Sequence, residues 1–343
     1  MLNVRVVLLE SEDQARALAR LVYETQGLTH HRGWLYRPEE ILARNRGGHV
    51  RSFVAMVGPR CVGHLAAIAP HFDEADTPIE RNNRVVGLDI IHPDVKGSGV
   101  RQRLTTALYG WAGTRDICGL LFRCRTDEVE VQRLARAMGA VPTALSLGAI
   151  PRAGQGRPLS ILTAYLALAD SPEQKVYLPR QDRDVYDALY ENLAEKRLFV
   201  EDCGSHRLAA ATDVRVHFDP SRQIGRIHVV RAGPDLEERV LERFRWLMGG
   251  HIRHVTVHSP LETPFTAAAT LAWKGHGMVL GGILPGHAGA DVAVFQGIRD
   301  LHVDLDDLRV LDPFAALLRD RVLADWRRGR DIARPPAWME AAG

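Results

Sequence analysis

The chain has 343 residues, of which 46% are hydrophobic and 25% charged, as in a globular protein long enough for two domains. Its 44 Lys and Arg residues nearly balance its 42 Asp and Glu residues, which leaves a formal net charge of +2. Such a balance gives no electrostatic attraction for nucleic acid or for an anionic membrane, so neither is predicted as a partner.

The sequence also predicts a cytoplasmic protein. No stretch approaches the roughly 20 consecutive apolar residues of a membrane helix. The first residues, "MLNVRVVLLESEDQ", lack the basic region, long apolar region and cleavage site of a signal peptide. The cysteines at positions 61, 118, 124 and 203 show no CxxC spacing, so no structural set of disulfides is expected.

Helix and strand patterns alternate along the first half of the chain. Ser11 is predicted to cap the first helix, and Gly27 to end it. In chain order, the pattern predicts a strand at 4–9, a helix at 13–27, a short helix from 38, a hairpin at 51–70, a strand at 84–93, a helix at 101–114, a strand at 118–126, a helix at 128–138, and strands at 141–150 and 159–169.

The second half repeats this order without strong sequence identity. A plausible boundary is "DSPEQ" at 170–174. We therefore predict a first domain at 1–170, a second at 174–330 that ends in a long helix, and a loose tail at 331–343.

A glycine-containing turn follows the strand that ends in "IIHP". The sequence "VKGSGV" leads from that strand directly into a helix. Glycine lets an anion approach the backbone, and the first N–H groups of a helix have no internal partner, so together they can bind a phosphate. A tight turn without a ligand is the competing interpretation. The spacing matches neither a GxxxxGKS loop nor GxGxxG.

The turn resembles the pyrophosphate motif [R/Q]xxGx[G/A] of the GNAT superfamily of acetyl-CoA-dependent acyltransferases. The motif falls on residues 96–101, and "LARAMGAV" resembles the later family motif YxxxGF. The second half is similar in architecture, down to "LAWKGHGM" before its last two strands. The resemblance implies an α/β fold of two GNAT-like domains, each a mixed, mostly antiparallel twisted sheet flanked by helices. It further implies acetyl-CoA as co-substrate, no metal, and pairing of two copies through their sheets.

The two motifs together depart from the family pattern at three positions. Lys96 replaces Arg or Gln, Ala135 replaces the tyrosine that often protonates the leaving thiolate, and Arg101 replaces Gly or Ala. Arg101 either crowds the pyrophosphate or points outward and pairs with a phosphate. The corresponding turn of the second half, "VVRAGPDLEERV", has acidic residues at 235, 237 and 238 that would repel a pyrophosphate. We therefore predict that the second half does not bind acetyl-CoA.

The resemblance assigns binding roles along the strand and the turn. The backbone of Ile90 and Ile91 would hold the acetyl and pantetheine groups. The predicted pyrophosphate-binding residues are Lys96, Gly97, Ser98, Gly99, Val100 and Arg101.

Asp89 is the first candidate for the base that takes the proton of the amine. A carboxylate inside the apolar run "VVGLDII" is costly unless it is paired or useful. The alternative is an ion pair with an arginine such as Arg84 or Arg123. His64 is the second candidate, although a lone histidine on a strand is more often structural.

The loop "HHRGWLYRP" falls where the family usually binds the acceptor. His31, Trp34 and Tyr36 are therefore predicted substrate contacts, with packing as the alternative. Two adjacent histidines without a further ligand do not predict a metal site.

The predicted function is transfer of an acetyl group from acetyl-CoA to a primary amine of a small molecule or peptide, by the N-terminal domain. A non-catalytic acyl-CoA-binding or regulatory protein is the main alternative, and other acyl-CoA chemistry such as decarboxylation is a third.

Overall fold

The computed structural model describes residues 3–30, 32–69, 83–150, 158–170, 173–200, 211–250, 252–286, 290–299 and 305–333. The chain divides into two compact units. The first comprises Met1–Arg123 and Leu166–Asp170, and the second comprises Cys124–Tyr165 and Ser171–Gly343. These units are defined by their compactness. The predicted domains 1–170 and 174–330 rest instead on the repetition of one element order in the sequence, and they stay a prediction.

The first unit is built on a mixed sheet with strand order β1-β2-β3-β4-β5. Neighbouring strands are antiparallel except β4 and β5, which are parallel and joined through a helix. In chain order its elements are β1 (Arg5–Leu8), α1 (Glu12–Gln26), α2 (Pro38–Arg46), β2 (Val50–Val57), β3 (Arg60–Ile68), β4 (Asn83–Ile91), α3 (Val100–Ala112) and β5 (Gly119–Arg125), whose last two residues fall in the second unit.

Helix α1 begins and ends as its sequence predicts. The Ser11 side chain accepts a hydrogen bond from the Gln14 amide, and the Gln14 side chain accepts one from the Ser11 amide, which completes a capping box. Gly27 ends the helix with φ of +56°. The apolar face of α1 contributes Leu18 and Leu21 to a core that also includes Ile41 of α2 and one face of the sheet.

Helix α3 packs closely against the opposite face of the sheet at Gly63 of β3. A Cβ atom at Gly63 would lie 2.7 Å from Val100 Cγ1 and 3.1 Å from Leu104 Cδ1. The absence of a side chain at this position therefore sets how near the first turn of α3 comes to the sheet.

The main strands of the second unit are hydrogen-bonded in the order β7-β6-β13-β14-β12-β11-β10. Only β11 and β12 pair in parallel among them, and β8 and β9 form a separate parallel pair. Its elements are α4 (Glu130–Ala137), β6 (Val141–Ile150), β7 (Leu159–Ala167, with its last two residues in the first unit), β8 (Gln174–Tyr177), α5 (Arg183–Leu193), β9 (Arg197–Val200), β10 (Asp213–Asp219), β11 (Ile224–Arg231), α6 (Leu236–Gly249), β12 (His254–Pro260), α7 (Pro264–Gly275), β13 (Val279–Leu284), β14 (Val292–Ile298) and α8 (Pro313–Ala333).

A buried ionic network lies within the second unit. The Arg197 guanidinium donates to Asp291 Oδ2 at 2.6 Å and also contacts the Glu195 carboxylate, while the Tyr190 hydroxyl donates to Asp291 Oδ2 at 2.9 Å. Burial opposes the charge of Arg197, but its bonds to Asp291 and Glu195 prevail and raise its pKa. The two acids thus keep a buried guanidinium charged.

The predicted α/β fold class is confirmed, since each unit contains mixed, mostly antiparallel β-strands flanked by helices. The short strand β9 was not predicted, and α8 continues to Ala333, three residues into the segment predicted as a tail. The rest of that segment lies outside the described residues. None of the described helices combines the length and apolarity needed to cross a membrane.

Candidate active site

The candidate site lies where β4 ends and the chain turns toward α3. Registered pairing between β4 and β5 covers Asn83–Val86 and Gly119–Phe122. Strand β4 continues to Ile91 without a further registered partner on β5, whose residues are all described. Strands that stop pairing leave backbone N–H and C=O groups that a ligand can use. The predicted pantetheine contact, the backbone of Ile90 and Ile91, lies in this part of β4, which pairs with β3 on one side and has no registered partner on β5.

A β-bulge in β4 decides which side chains share a face of the sheet. Leu88 has φ of +56°, and the register with β3 shifts by one residue beside it. After the bulge, His64 of β3 opposes Ile90, which packs in the core under α1 and α2. Because side chains alternate along a strand, Asp89 points to the other face, toward α3. The two predicted catalytic side chains therefore lie on opposite faces.

Two backbone amides of the turn are used to close it. The amide of Lys96 donates to the Pro93 carbonyl at 3.1 Å, and the amide of Ser98 donates to the Val95 carbonyl at 3.2 Å. The Ser98 hydroxyl donates to the same Val95 carbonyl at 2.6 Å. Ser98 thus shapes the turn through both its donors, and its predicted contact with a phosphate stays a prediction.

The two glycines of the turn border open space. Gly97 and Gly99 have φ of +76° and +80°, and a Cβ at either position would meet nothing within 4 Å. The first turn-to-helix bond is that from the Arg103 amide to the Gly99 carbonyl. Among the backbone bonds of the described residues, none is donated by Gly97, Gly99 or Val100. The helix dipole adds a positive potential at the same point, which fits an anionic phosphate.

Arg101 reaches back from the first turn of α3 to Asp89. Its Nε lies 2.7 Å from Asp89 Oδ2, with 31% of the arginine and 19% of the aspartate side chain exposed. Arg101 is thus an arginine partner of Asp89, as the alternative interpretation of Asp89 expects of an arginine, while the pairing with Arg84 or Arg123 stays a prediction. Arg101 thus has a carboxylate partner beside the turn, which neither sequence interpretation of this residue included.

His64 is completely buried. Burial lowers the pKa of its imidazole to about 3, with the Leu88 backbone opposing the shift and the charge of His30 adding to it. The ring is therefore neutral at neutral pH and closed to solvent. This surrounding favours Asp89 over His64 as the group that an incoming amine can reach.

The loop predicted to bind the acceptor contributes mainly to packing where it is described. Trp34 is 6% exposed within the core under α1 and α2, and the Arg44 guanidinium lies 5.1 Å from its ring centroid. The Tyr36 hydroxyl accepts the His30 amide at 3.0 Å. His31 lies outside the described residues. Substrate contact by these residues stays a prediction.

Ala135 lies in the tyrosine position of the family motif and is buried on α4. The same face of α4 carries Gln132, whose amide group donates to the Arg309 carbonyl at 2.8 Å and accepts the Leu311 amide at 3.2 Å. Gln132 therefore joins the segment before α8 to α4 by hydrogen bonds within the second unit. The sequence pattern did not predict these hydrogen bonds.

The corresponding turn of the second unit is closed by its own side chains. The Gly233 amide donates to Thr212 Oγ1 at 2.9 Å, and the Thr212 amide donates to Asp235 Oδ1 at 2.8 Å. The hydrogen bonds from Thr212 lower the pKa of Asp235 to about 2, so it stays negative at the start of α6, next to Glu237 and Glu238 in the first turn. The arrangement disfavours an anion.

Metal ligands do not cluster in the part of the chain that the structure describes: no group of three or more His, Cys, Asp or Glu side chains could hold an ion. Burial raises the pKa of the Cys61 and Cys124 thiols to about 12, so neither is a thiolate at neutral pH.

Comparison with known proteins finds similarity in structure. No protein-family model matches the chain, and no curated protein matches it. Among solved structures, a Salmonella typhimurium protein with its cofactor acetyl-CoA is 16% identical, with a TM-score of 0.41 over 50% of this chain and 96% of that one.

Three further structures are similar at the same level. The ribosomal-protein-alanine N-acetyltransferase of Brucella melitensis is 18% identical, with a TM-score of 0.39 over 48% of this chain and 98% of its own. The spermidine/spermine N-acetyltransferase of Vibrio cholerae is 14% identical, with a TM-score of 0.38 over 48% and 95%. A Desulfovibrio desulfuricans protein that is assigned to the GNAT family of acetyltransferases is 16% identical. Each of these structures aligns with about half of this chain, at a TM-score of 0.41 or below.

Proposed function

We propose that the first unit transfers an acetyl group from acetyl-CoA to a primary amine. The observation that carries this proposal is the turn at Gly97 and Gly99. It combines backbone amides that donate no backbone hydrogen bond among the described residues, a helix N-terminus and the exposed Lys96. The turn follows the part of β4 that has no registered partner on β5. A pyrophosphate fits this charge and this space. The sequence motif at the same residues supports acetyl-CoA as the donor.

Acetyl-CoA supplies a thioester that an amine can attack. The amine nitrogen forms a bond to the carbonyl carbon as the carbon–sulfur bond breaks. An ammonium ion first releases one proton to water. The neutral nitrogen that attacks loses one more proton and the sulfur gains one, so the products are the N-acetyl amine, free CoA and one proton in solution. We propose that Asp89 accepts the proton that the attacking nitrogen loses, directly or through water. The proton on sulfur comes from water, because Ala135 stands where the family tyrosine would be.

The ion pair with Arg101 affects this role of Asp89 in two ways. The contact holds Asp89 Oδ2 in a fixed position, but it also occupies the carboxylate that would accept the proton. We therefore expect Asp89→Asn to lower turnover by about 10²-fold, at the lower end of general-base effects. Release of CoA in the presence of an amine panel measures it.

Binding of acetyl-CoA to the Asp89→Asn variant is the control, and it should match that of the natural chain. Unchanged turnover in Asp89→Asn would remove Asp89 as the base. Absence of acetyl-CoA binding by the natural chain would overturn the proposed function itself.

A non-catalytic acyl-CoA-binding protein is the second candidate. The ion pair of Asp89 with Arg101 and the alanine at position 135 favour this candidate. The ion pair occupies the proposed base, and alanine cannot donate a proton to the leaving thiolate. Acetyl-CoA binding without CoA release on any amine would support this candidate over the first.

A further inference from the structure

The charged groups beside the proposed acetyl position form a matched pair of opposite sign. Asp89 lies directly before Ile90 on β4, and the Arg101 guanidinium meets it from α3 at 2.7 Å. Both side chains keep partial exposure to solvent. A ligand that enters between them would therefore contact one anion and one cation within a few ångströms.

This pair discriminates between amines by their second charge. A primary amine is an ammonium ion in water at neutral pH. A purely cationic amine would be attracted to Asp89 but repelled by the adjacent guanidinium, and it would leave Arg101 without the carboxylate that now neutralises it. An amine that carries its own carboxylate replaces both partners at once, since its ammonium meets Asp89 and its carboxylate meets Arg101.

Arginine is suited to the second contact. Its planar guanidinium presents donors in a fork that matches a carboxylate, and it keeps its charge at all relevant pH values. Glycine or alanine, the usual residues at this position of the motif that the sequence resembles, could not make that contact.

We propose that the acceptor is an amino acid, held through its ammonium by Asp89 and through its carboxylate by Arg101. The inference rests on the proposed function, because it names the substrate class of that same site. Arg101 acts as the specificity-determining residue, and it selects against polyamines and against amino-acid amides.

Matched substrates test this inference. CoA release is measured with alanine and phenylalanine, each against its own amide, and with putrescine. We expect kcat/KM to be at least tenfold higher for each amino acid than for its amide. In Arg101→Gln this preference should fall to within twofold, whereas Arg101→Lys should retain part of it.

Arg183→Gln provides the matched control. Arg183 forms an ion pair of the same 2.7 Å length and similar exposure with Asp187, within α5 of the second unit. This variant should keep the full preference for amino acids. Equal or better use of the amides or of putrescine, or a preference that survives Arg101→Gln, would overturn the inference while leaving the proposed function intact.

Calorimetry separates the two proposals when turnover is absent. Titration of phenylalanine and of its amide into the chain with CoA should show binding of the amino acid alone, and loss of that binding in Arg101→Gln. Amino-acid binding without turnover would support the inference and contradict the proposed function. Absence of amino-acid binding together with absence of turnover would overturn the inference.

Discussion

At the scale of single residues, Arg101 has the largest influence on the chemistry of the site. A small residue at this position of the turn could not reach Asp89. The carboxylate would then lack its contact with the Arg101 guanidinium. The 2.7 Å contact holds Asp89 in a fixed direction on the α3 face of the sheet. One substitution in the motif thus changes the electrostatics of a residue twelve positions earlier, because the turn folds α3 back onto β4.

His64 provides a prediction about stability and pH. Its folded-state pKa of about 3 lies below the unfolded value of 6.5, so the unfolded chain takes up a proton as the pH falls below 6.5 and the folded chain does not. The stability that His64 contributes is present above pH 6.5 and is lost on acidification toward pH 3. Between pH 6.5 and pH 4.5 we expect a loss of about 2 kcal/mol in the free energy of unfolding.

Urea unfolding of the natural chain and of His64→Leu across this pH range isolates the contribution. Leucine has no proton to gain, so the natural chain should lose more stability than the variant does. Equal pH dependence of the two proteins would show that His64 titrates alike in the folded and unfolded states.

At the scale of elements, the packing of α3 on β3 determines where the turn presents its amides. Gly63 allows Val100 and Leu104 to approach the sheet more closely than any side chain would permit. The first turn of α3 is therefore fixed next to the end of β4, with Gly97 and Gly99 just before it.

Gly63→Ala should disturb this contact. The new methyl group would lie 2.7 Å from Val100 Cγ1, so the helix or the strand must shift. We expect a loss of about 1–3 kcal/mol in the free energy of unfolding, the usual range for overpacking. Chemical denaturation measures the loss.

Gly110→Ala on the same helix is the control. A Cβ there meets nothing within 4 Å, and alanine favours helix, so we expect a gain of roughly 0.5–1 kcal/mol. Similar effects of the two changes would contradict the account of how α3 packs.

Most elements of the first unit could be predicted from the sequence, and the contacts of the site could not. Ser11 and Gly27 carry local signals for the ends of α1, since a cap depends only on residues within one turn. The bulge at Leu88 has no such signal, because glycine is the usual residue at a positive φ and leucine is not. Without the bulge and the turn geometry, the sequence could predict an arginine beside Asp89 but not which arginine.

At the scale of the whole molecule, the chain contains two versions of one strand–turn–helix arrangement with opposite electrostatics. In each, an antiparallel strand pair is followed by a helix and a parallel strand: β3-β4-α3-β5 in the first unit and β10-β11-α6-β12 in the second. The first turn leaves amides open, and the second uses Thr212 and Asp235 to close itself. We therefore expect the first turn, and not the second, to bind a phosphate.

Titration calorimetry with acetyl-CoA tests the central claim most directly. We predict one site per chain, and at least tenfold weaker binding by Gly99→Ala, because a methyl group at φ of +80° strains the turn and enters the space where the phosphate would approach. Gly58→Ala, at φ of +57° in the β2–β3 turn with the same open surroundings, should lose similar stability and keep full affinity. Two equal sites per chain, or equal weakening by the two variants, would contradict the account.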